Sequence, residues 1–544
     1  MRGIICPARC ALLAGIWCTS FALAAPDEAA CRKLANTPSL TILSAELRSL
    51  SASKTNYCYV RGLISPAIHY HVQLPLPSNW NERFLNWGDG GKDGDLDFAD
   101  RRVAQGYAVS NSNMGHDSGS EPGASFGFHN RQAERDFGYR AVHLTVNAAK
   151  TLIRAYYGKA PKRSYHEGCS TGGREGLIEA QRFPYDFDGI VAGAPVNYYQ
   201  QQNATYVWIL QKMYKDNFAG ALAFDRDGDG RLDSVTKLNL VSNAVLAKCD
   251  ALDGITDGVI GDPRLCTFDA EKDLADKLCP GDVNADDCLT KRQVQTVKEI
   301  HRGPRDSKGA FVYWGKPPGS EYGWPAAFIP LPVNRFFPSG LGVSGDHLNY
   351  LFYENDPGIT PPDLGDPSYK LDKKRNPPEW AWWEFNIDDV TAGKADLMMS
   401  IMNATDPDLT RFLKKKDGKL ILYHGWCDTS PSPDGSVEYF KSVVETTFGG
   451  NADEARKRIR LFMAPGMGHC GGGPGPNAWD KLAPLVEWVE NGKAPDFVVA
   501  THAADGKVDN ERVICAYPQK AVYTGPANGQ NIRANWTAAN FTCR

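Results

Sequence analysis

Apolar and polar side chains alternate in short runs through the first part of the chain. Residues 40–47, 57–64, 69–76, 83–87 and 107–110 each read as a strand. Between the last two sits Trp87-Gly88-Asp89-Gly90-Gly91-Lys92-Asp93-Gly94. A glycine cluster directly after a strand leaves backbone N–H groups unscreened, which suits an oxyanion or phosphate and equally a plain tight turn. The Lys-Ser/Thr pair of a phosphate loop does not follow it. From 136 to 157 the period becomes helical, with Val142, Val146, Ala149, Leu152 and Ile153 on one face. Residues 163–169 can form a short strand, 174–183 a helix, and 188–195 a buried strand closed by Gly193 and Pro195. Strand and helix alternating in this order predict a mostly parallel sheet.

Between about 198 and 415 the rhythm is lost. This region is rich in Trp, Pro, Asp and Gly and holds Cys249, Cys266, Cys279 and Cys288. It reads as an insertion closed locally by disulfides. The α/β pattern returns with a strand at 419–423, a helix at 434–446, a strand at 458–463 and a helix at 477–490. The expected organisation is a signal peptide at 1–24, a first α/β part at 25–200, an insertion at 201–415 and a second α/β part at 416–544.

Charge and size narrow the field. With 544 residues the chain can hold two or three domains, or one large domain with an insertion. A net charge of −4 gives no basic field for nucleic acid or anionic lipid. Beyond the start of the chain no apolar stretch approaches the ~18 residues of a membrane span. At the start, Arg2 and Arg9 flank the beginning of a short apolar region, 11–22, followed by Ala22-Leu23-Ala24, a small-x-small cleavage site. Gly15-Ile16-Trp17 before Cys18 is a poor lipoprotein box. The mature protein is therefore expected to be secreted or periplasmic. Cleavage removes Cys6, Cys10 and Cys18 and leaves eleven cysteines. In an oxidising compartment these read as disulfides, and no Cys-x-x-Cys pair supports zinc. An odd number leaves at least one unpaired.

Gly-x-Ser-x-Gly occurs twice, at 123–127 around Ser125 and at 168–172 around Ser170. The first copy lies in a Gly/Ser/Asn-rich run with no strand before it and reads as a loop. The second sits on a strand–turn–helix that can lift a serine out of the backbone. Asp428 and His469 each follow a predicted strand, which completes the Ser…Asp…His chain order of the α/β-hydrolases. A serine hydroxyl needs an imidazole to take its proton, and the imidazole needs a carboxylate to orient it. His166 and His424, inside or beside strands, read as structural. Cys169 precedes the serine and Cys470 follows the histidine. If Ser170 and His469 meet, those cysteines come within bonding range, and the bond would close a loop of roughly 300 residues, worth ~4–5 kcal/mol.

Two acidic loops lie in the insertion. Asp225, Asp227, Asp229, Arg231 and Asp233 begin like an EF-hand, but Thr236 occupies the twelfth position in place of a bidentate Glu. This leaves calcium or a polar turn as readings. Asp250, Asp253 and Asp257 crowd three carboxylates into eight residues, which suits a hard cation or a solvated turn.

The Cys-Ser…Asp…His-Cys arrangement resembles the tannase/feruloyl esterase family, which includes the mono(2-hydroxyethyl) terephthalate hydrolases. The resemblance is carried by 168–175, by 425–433 around the acid and by 466–475 around the histidine. It extends to 249–259, which is similar to that family's lid calcium loop. It implies an α/β-hydrolase fold with a large disulfide- and calcium-containing lid insertion. The implied calcium ligands are the side chains of Asp250, Asp253 and Asp257 and the carbonyls of Ile255 and Val259. The implied disulfides are Cys169–Cys470, Cys249–Cys266, Cys279–Cys288, Cys515–Cys543 and Cys31–Cys58. Cys427 is left beside the acid, as a small packed residue or an active-site thiol. The implied mechanism is acyl transfer through Ser170, His469 and Asp428, with oxyanion donors at Thr171 and at Gly91 or Gly90 and no organic cofactor. The expected substrates are small esters of aromatic acids, possible pendants of plant polysaccharide or polyphenol: hydroxycinnamoyl first, galloyl second, terephthalate monoesters third. A serine peptidase and a non-catalytic calcium-binding protein are the competing classes. Tyr322, Trp324, Trp380, Trp382, Trp383 and Phe385 either hold a planar acyl group or fill the insertion's core.

Overall fold

The computed structural model describes residues 26–228, 232–329, 344–353, 370, 374, 381–529 and 531–544. The signal-peptide expectation at 1–24, Asp229, Arg231 and Trp380 lie outside the described residues. No helix among those described is long and apolar enough to cross a membrane.

Nine strands form one sheet: β1 (Thr41–Ser49), β2 (Asn56–Ile64), β3 (Ile68–Pro75), β4 (Arg83–Trp87), β5 (Ala108–Ser112), β6 (Arg163–Cys169), β7 (Gly189–Gly193), β8 (Lys419–Gly425) and β9 (Ile459–Ala464). Their order is β1-β2-β3-β5-β4-β6-β7-β8-β9. The first three pair antiparallel, β3 meets β5 antiparallel, and every pairing from β5 to β9 is parallel. The parallel strands are buried on both faces, so adjacent side chains feed different cores and those two apart share one. Along β8, Leu420 and Leu422 join one hydrophobic cluster, while Ile421 and Tyr423 join the other.

Helices cover the sheet. α1 (Ala141–Tyr157) buries Val142, Val146, Ala149, Leu152 and Ile153 and stops at Gly158, whose φ of 73° a side chain would resist. α2 (Thr171–Arg182) follows β6 with almost no exposed face. After β7 the insertion opens with α3 (Tyr199–Tyr214) and α4 (Thr236–Cys249), then α5 (Lys291–Arg302), which starts at a Thr290/Gln293 capping box. Its apolar residues make a separate cluster around Trp208, Val241, Val297 and Trp324. α6 (Pro433–Phe448) follows β8, and α7 (Ala483–Asn491) follows β9.

The last helix begins six residues later than the 477–490 pattern predicts. The Asn477 and Ala478 N–H groups donate to Thr501 O at 3.0 Å each, so that backbone is committed to a bridge. Asp480 then accepts the N–H groups of Leu482 and Ala483, and Pro484 sits in the first turn. The sequence reading also missed the tail's two small sheets. These are β10 (Phe497–Ala504) with β11 (Lys507–Cys515), and β12 (Ala521–Tyr523) with β13 (Phe541–Cys543).

Arg174 ties the insertion's return to the sheet. Its buried guanidinium donates to Gly138 O at 3.0 Å, Phe137 O at 3.0 Å and Met402 O at 3.3 Å. Methionine there removes all three charge-assisted hydrogen bonds to buried backbone. Arg174→Met is expected to cost at least about 3 kcal/mol, read as a lowered midpoint in urea unfolding.

Candidate active site

Gly88, Gly168 and Gly172 explain how the site is assembled. A Cβ on Gly88 would lie 2.8 Å from Gly172 Cα and 3.1 Å from Gly168 Cα. A Cβ on Gly168 would meet Gly172 C at 2.5 Å, and one on Gly172 would meet Asp89 O at 2.7 Å. Backbone packs on backbone here, so only glycine brings the loop after β4 onto the turn from β6 to α2. Gly172 N–H donates to Asp89 O at 2.6 Å and fixes that contact. Ser170 stands at the crest with φ 63° and ψ −121°, a conformation that a side chain adopts only when its surroundings enforce it. Its N–H is held by Gly193 O at 2.9 Å, and its carbonyl accepts from Arg174 N at 3.0 Å.

His469 and Asp428 arrive from the ends of β9 and β8. Ser170 Oγ lies 2.9 Å from His469 Nε2, and His469 Nδ1 lies 2.8 Å from Asp428 Oδ2. Asp428 is fully buried, whereas the His469 side chain is 31 % exposed. Burial pushes the Asp428 carboxyl up, yet the charges and hydrogen bonds of His469 and His424 hold it well below the usual carboxylate range. This geometry can carry a proton from serine to imidazole while the carboxylate stays charged.

Sequence reasoning took His424 as structural and missed its contact with the acid. Its Nε2 lies 3.0 Å from the same Asp428 Oδ2, and its Nδ1 lies 2.7 Å from Ser436 Oγ. The four-residue spacing to the acid at the end of a strand was the available signal. His166, by contrast, is buried with Nε2 2.8 Å from Gly172 O, supporting the turn. Ser125 donates to Pro122 O at 2.8 Å in a short turn and has no histidine partner among the described residues.

The structure holds the five disulfides that the family resemblance implies: Cys169–Cys470, Cys249–Cys266, Cys279–Cys288, Cys515–Cys543 and Cys31–Cys58. Cys169–Cys470 spans 301 residues and joins the flank of the serine to that of the histidine. Cys427 is free, buried, and donates to Gly319 O at 3.1 Å. Burial pushes its thiol up to about 12, so it is a packed thiol and not a nucleophile.

Above Ser170, Thr171 begins α2, and its hydroxyl donates to Gly91 O at 2.7 Å. Of the two glycine candidates, Gly90 gives its N–H to Asp89 Oδ1 at 2.8 Å. A Cβ on Gly91 would meet nothing within 4 Å, so that residue faces open space. Burial pushes Asp89 up to about 8 and Glu175, beneath the loop, up to about 7. Carboxyls shifted upward in this way set less negative charge beneath the loop than ordinary ones would.

The aromatic candidates divide. Trp324, Trp382, Trp383 and Phe385 are packed in the insertion's own core. Tyr322 is 63 % exposed, and its neighbour Gly323 abuts Thr429, a Cβ there lying 2.8 Å from Thr429 Cγ2. Tyr206 Oη donates to Thr429 O at 2.7 Å, and the buried Lys316 ammonium donates to Ser430 O at 2.7 Å. The insertion thus grips the loop that carries Asp428.

The 249–259 loop is closed by Cys249–Cys266. Asp250 accepts Asp257 N at 3.3 Å and Gly258 N at 3.0 Å, while Asp253 and Asp257 share the buried Arg512 at 3.0 and 2.9 Å. Burial pushes Asp253 up to about 6. Three formal negative charges against one positive leave an excess of two. The oxygen-only donor set, with Ile255 and Val259 carbonyls on the same loop, suits a hard cation chemically. In the other loop, Asp225 Oδ1 accepts Gly228 N at 2.7 Å and Asp233 Oδ1 accepts Arg226 N at 3.1 Å, both turn-closing bonds.

A Cys169→Ala/Cys470→Ala double variant frees the two flanks. Its kcat/KM is expected to fall by about 10- to 100-fold, since small displacements of reacting groups cost that much. Its far-ultraviolet circular dichroism should stay that of the parent, and unchanged turnover would refute the role given to the bond.

Comparison with known proteins places this arrangement. The family model described as tannase and feruloyl esterase matches residues 54–538. An uncharacterized esterase of Xanthomonas campestris is 32% identical over 528 residues, covering 90% of this chain and 84% of that protein. The mono(2-hydroxyethyl) terephthalate hydrolase of Piscinibacter sakaiensis is 31% identical over 548 residues, covering 92% and 87%. The crystal structure of feruloyl esterase B from Aspergillus oryzae superposes with a TM-score of 0.78 at 26% identity, covering 95% of this chain and 100% of that one. The chain is a carboxylic ester hydrolase and belongs to the tannase and feruloyl esterase family.

Proposed function

We propose that the protein is an exported serine esterase for esters of aromatic acids, with hydroxycinnamoyl esters first, galloyl esters second and terephthalate monoesters third. The hydrogen-bonded line from Ser170 through His469 to Asp428 carries this reading. Family membership points it at aromatic acyl groups, as the names of the relatives suggest.

Ser170 Oγ attacks the ester carbonyl carbon while its proton passes to His469 Nε2, and Asp428 stabilises the imidazolium. The carbonyl oxygen takes up the electron pair and receives the N–H groups of Thr171 and Gly91; Gly90, engaged by Asp89, is the poorer donor. Collapse of the tetrahedral species breaks the ester C–O bond, and His469 returns the proton to the departing alcohol. A water then gives its proton to His469 and attacks the acyl-enzyme, which releases the acid and restores Ser170. The chain divides as an α/β-hydrolase at 25–200 and 416–544, with 201–415 as its lid. The lid's contacts with Thr429 and Ser430 support that role, and Tyr322 is an exposed aromatic beside Gly323, which abuts Thr429 of the acid loop.

Calcium is the proposed structural ion of the lid, held by Asp250, Asp253 and Asp257 with the Ile255 and Val259 carbonyls. Its chemistry there is charge neutralisation, and the proton relay of the reaction is carried by the chain's own groups. Export rests on the 1–24 segment and on the oxidised cysteines.

Ser170→Ala should abolish turnover of methyl ferulate, methyl gallate and a p-nitrophenyl ester alike, by at least about 10⁴-fold, and should end labelling by a fluorophosphonate. Turnover that survives the substitution places the nucleophile elsewhere, and parent activity on peptides alone would favour a peptidase. Chelation should lower the thermal midpoint of the parent, calcium should restore it, and Asp253→Asn/Asp257→Asn should be insensitive to both. A midpoint indifferent to chelator would remove calcium from this loop.

A further inference from the structure

On the helical face of the sheet, away from Ser170, three side chains combine ligand chemistry that the ester reaction does not use. His143 projects from α1, Glu179 from the last turn of α2, and Asp186 from the turn that leads into β7. One ligand atom from each, an imidazole nitrogen and two carboxylate oxygens, lies within 4.8 Å of the others. Among the described residues no other set of three such side chains does so.

Glu179 is the independent observation. It is 1 % exposed, and neither carboxylate oxygen has a hydrogen-bond donor among the described residues. The polar group it meets is the Asp186 carboxylate, which is itself an acceptor. Burial and then the Asp186 charge push the Glu179 carboxyl well above its ordinary value. The neighbouring cation, Lys150, gives its ammonium to the Asp186 backbone carbonyl. A buried acceptor faces a partly buried one, and something positive belongs between them: a proton or a cation.

His143 supplies the nitrogen donor of the set. Its Nδ1 lies 2.5 Å from Asp186 Oδ2, and its ring stacks on Phe183 with centroids 4.0 Å apart. At that distance Nδ1–H donates to Asp186, and Nε2 lies 3.2 Å from the Asn147 side-chain nitrogen; an ion would displace the Nδ1 proton, and turning the Asn147 amide over would give Nε2–H an acceptor. The His143 side chain is 29% exposed and that of Asp186 13%, which leaves an entry path.

The geometry points to a binding site for one divalent transition-metal ion, zinc best matched, held by His143, Glu179 and Asp186 with solvent in the remaining position. One imidazole and two carboxylates are a borderline donor set that suits zinc, whereas calcium takes oxygen alone. The ion would clip α1 and the turn before β7 to α2, the helix that presents Ser170. It would thus brace the nucleophile from behind without touching substrate.

The test uses purified full-length protein, stripped with chelator, returned to saturating calcium and titrated with zinc chloride by calorimetry and thermal unfolding. The parent is expected to bind one zinc equivalent that His143→Ala and Glu179→Gln both lose. At free zinc about a hundredfold above its Kd, the parent's folding equilibrium should shift about a hundredfold, and that of the variants should not move. His143 is partly exposed, so its alanine variant folds even if Glu179→Gln does not, and Asp186→Asn then takes the second place. A parent that binds no zinc, or variants that bind it as the parent does, would overturn the site and leave a proton shared by Glu179 and Asp186.

Discussion

The structure depends on one contact in which there is no room for side chains. Gly88, Gly168 and Gly172 bring the loop after β4, the end of β6 and the first turn of α2 into backbone contact. A single Cβ at any of the three would sit within 2.8 Å of a backbone atom of this group. Everything that matters chemically radiates from it. Ser170 is lifted because the turn is that tight, and Thr171 and Gly91 are brought together, hydroxyl to carbonyl at 2.7 Å. Asp89 of the loop and Glu175 of the helix are forced into burial, which pushes both carboxyls upward and weakens the negative charge they set against the site. Close packing of this kind is rigid, and rigidity is what an oriented donor set requires.

Around that contact the sheet does the placing. Ser170, Asp428 and His469 all stand beyond the carboxyl ends of parallel strands, where an open α/β sheet presents its loops to a ligand. The insertion enters between β7 and β8, so it rises from the same edge and reaches back to the acid loop. Tyr206 and Lys316 bind the backbone at Thr429 and Ser430, and Gly319 accepts from Cys427. The acid is therefore held from two sides, by the strand that delivers it and by the insertion above it. His424 adds a third hold through the same carboxylate oxygen that His469 uses.

Much of this was legible because the physics is local. Parallel strands buried on both faces leave dense apolar runs, and β7 to β9 were readable for that reason, whereas β6 was marked by the serine motif at its end. The cysteines beside Ser170 and His469 made a long-range contact visible in two short motifs. What resisted reading depended on distant partners. α3 is buried on nearly every side and shows no amphipathic stripe. Residues 477–482 look helical until Thr501 claims their backbone. β10 does alternate, Phe497 and Val499 outward, Val498 and Ala500 inward, but its exposed apolar residues blur the signal. Trp324 and Phe385 could be placed in a core only once the fold around them was known. Two local signals were passed over, the four-residue spacing of His424 to Asp428 and the Thr290/Gln293 capping box of α5.

The position of the insertion also orders events during synthesis. Strands β1 to β7 and the serine turn emerge first, yet β7 pairs with β8, and Gly193 waits for Tyr423. Until the whole insertion has been made, one flank of the sheet is an open strand edge, the kind that recruits other chains. His469 comes 299 residues after Ser170. A chain cut short anywhere before it holds a strained, shaped serine turn with nothing to take its proton. The hydrogen-bonded line from Ser170 to Asp428 is thus a proof of completeness: it closes only when the last strand of the sheet has been delivered.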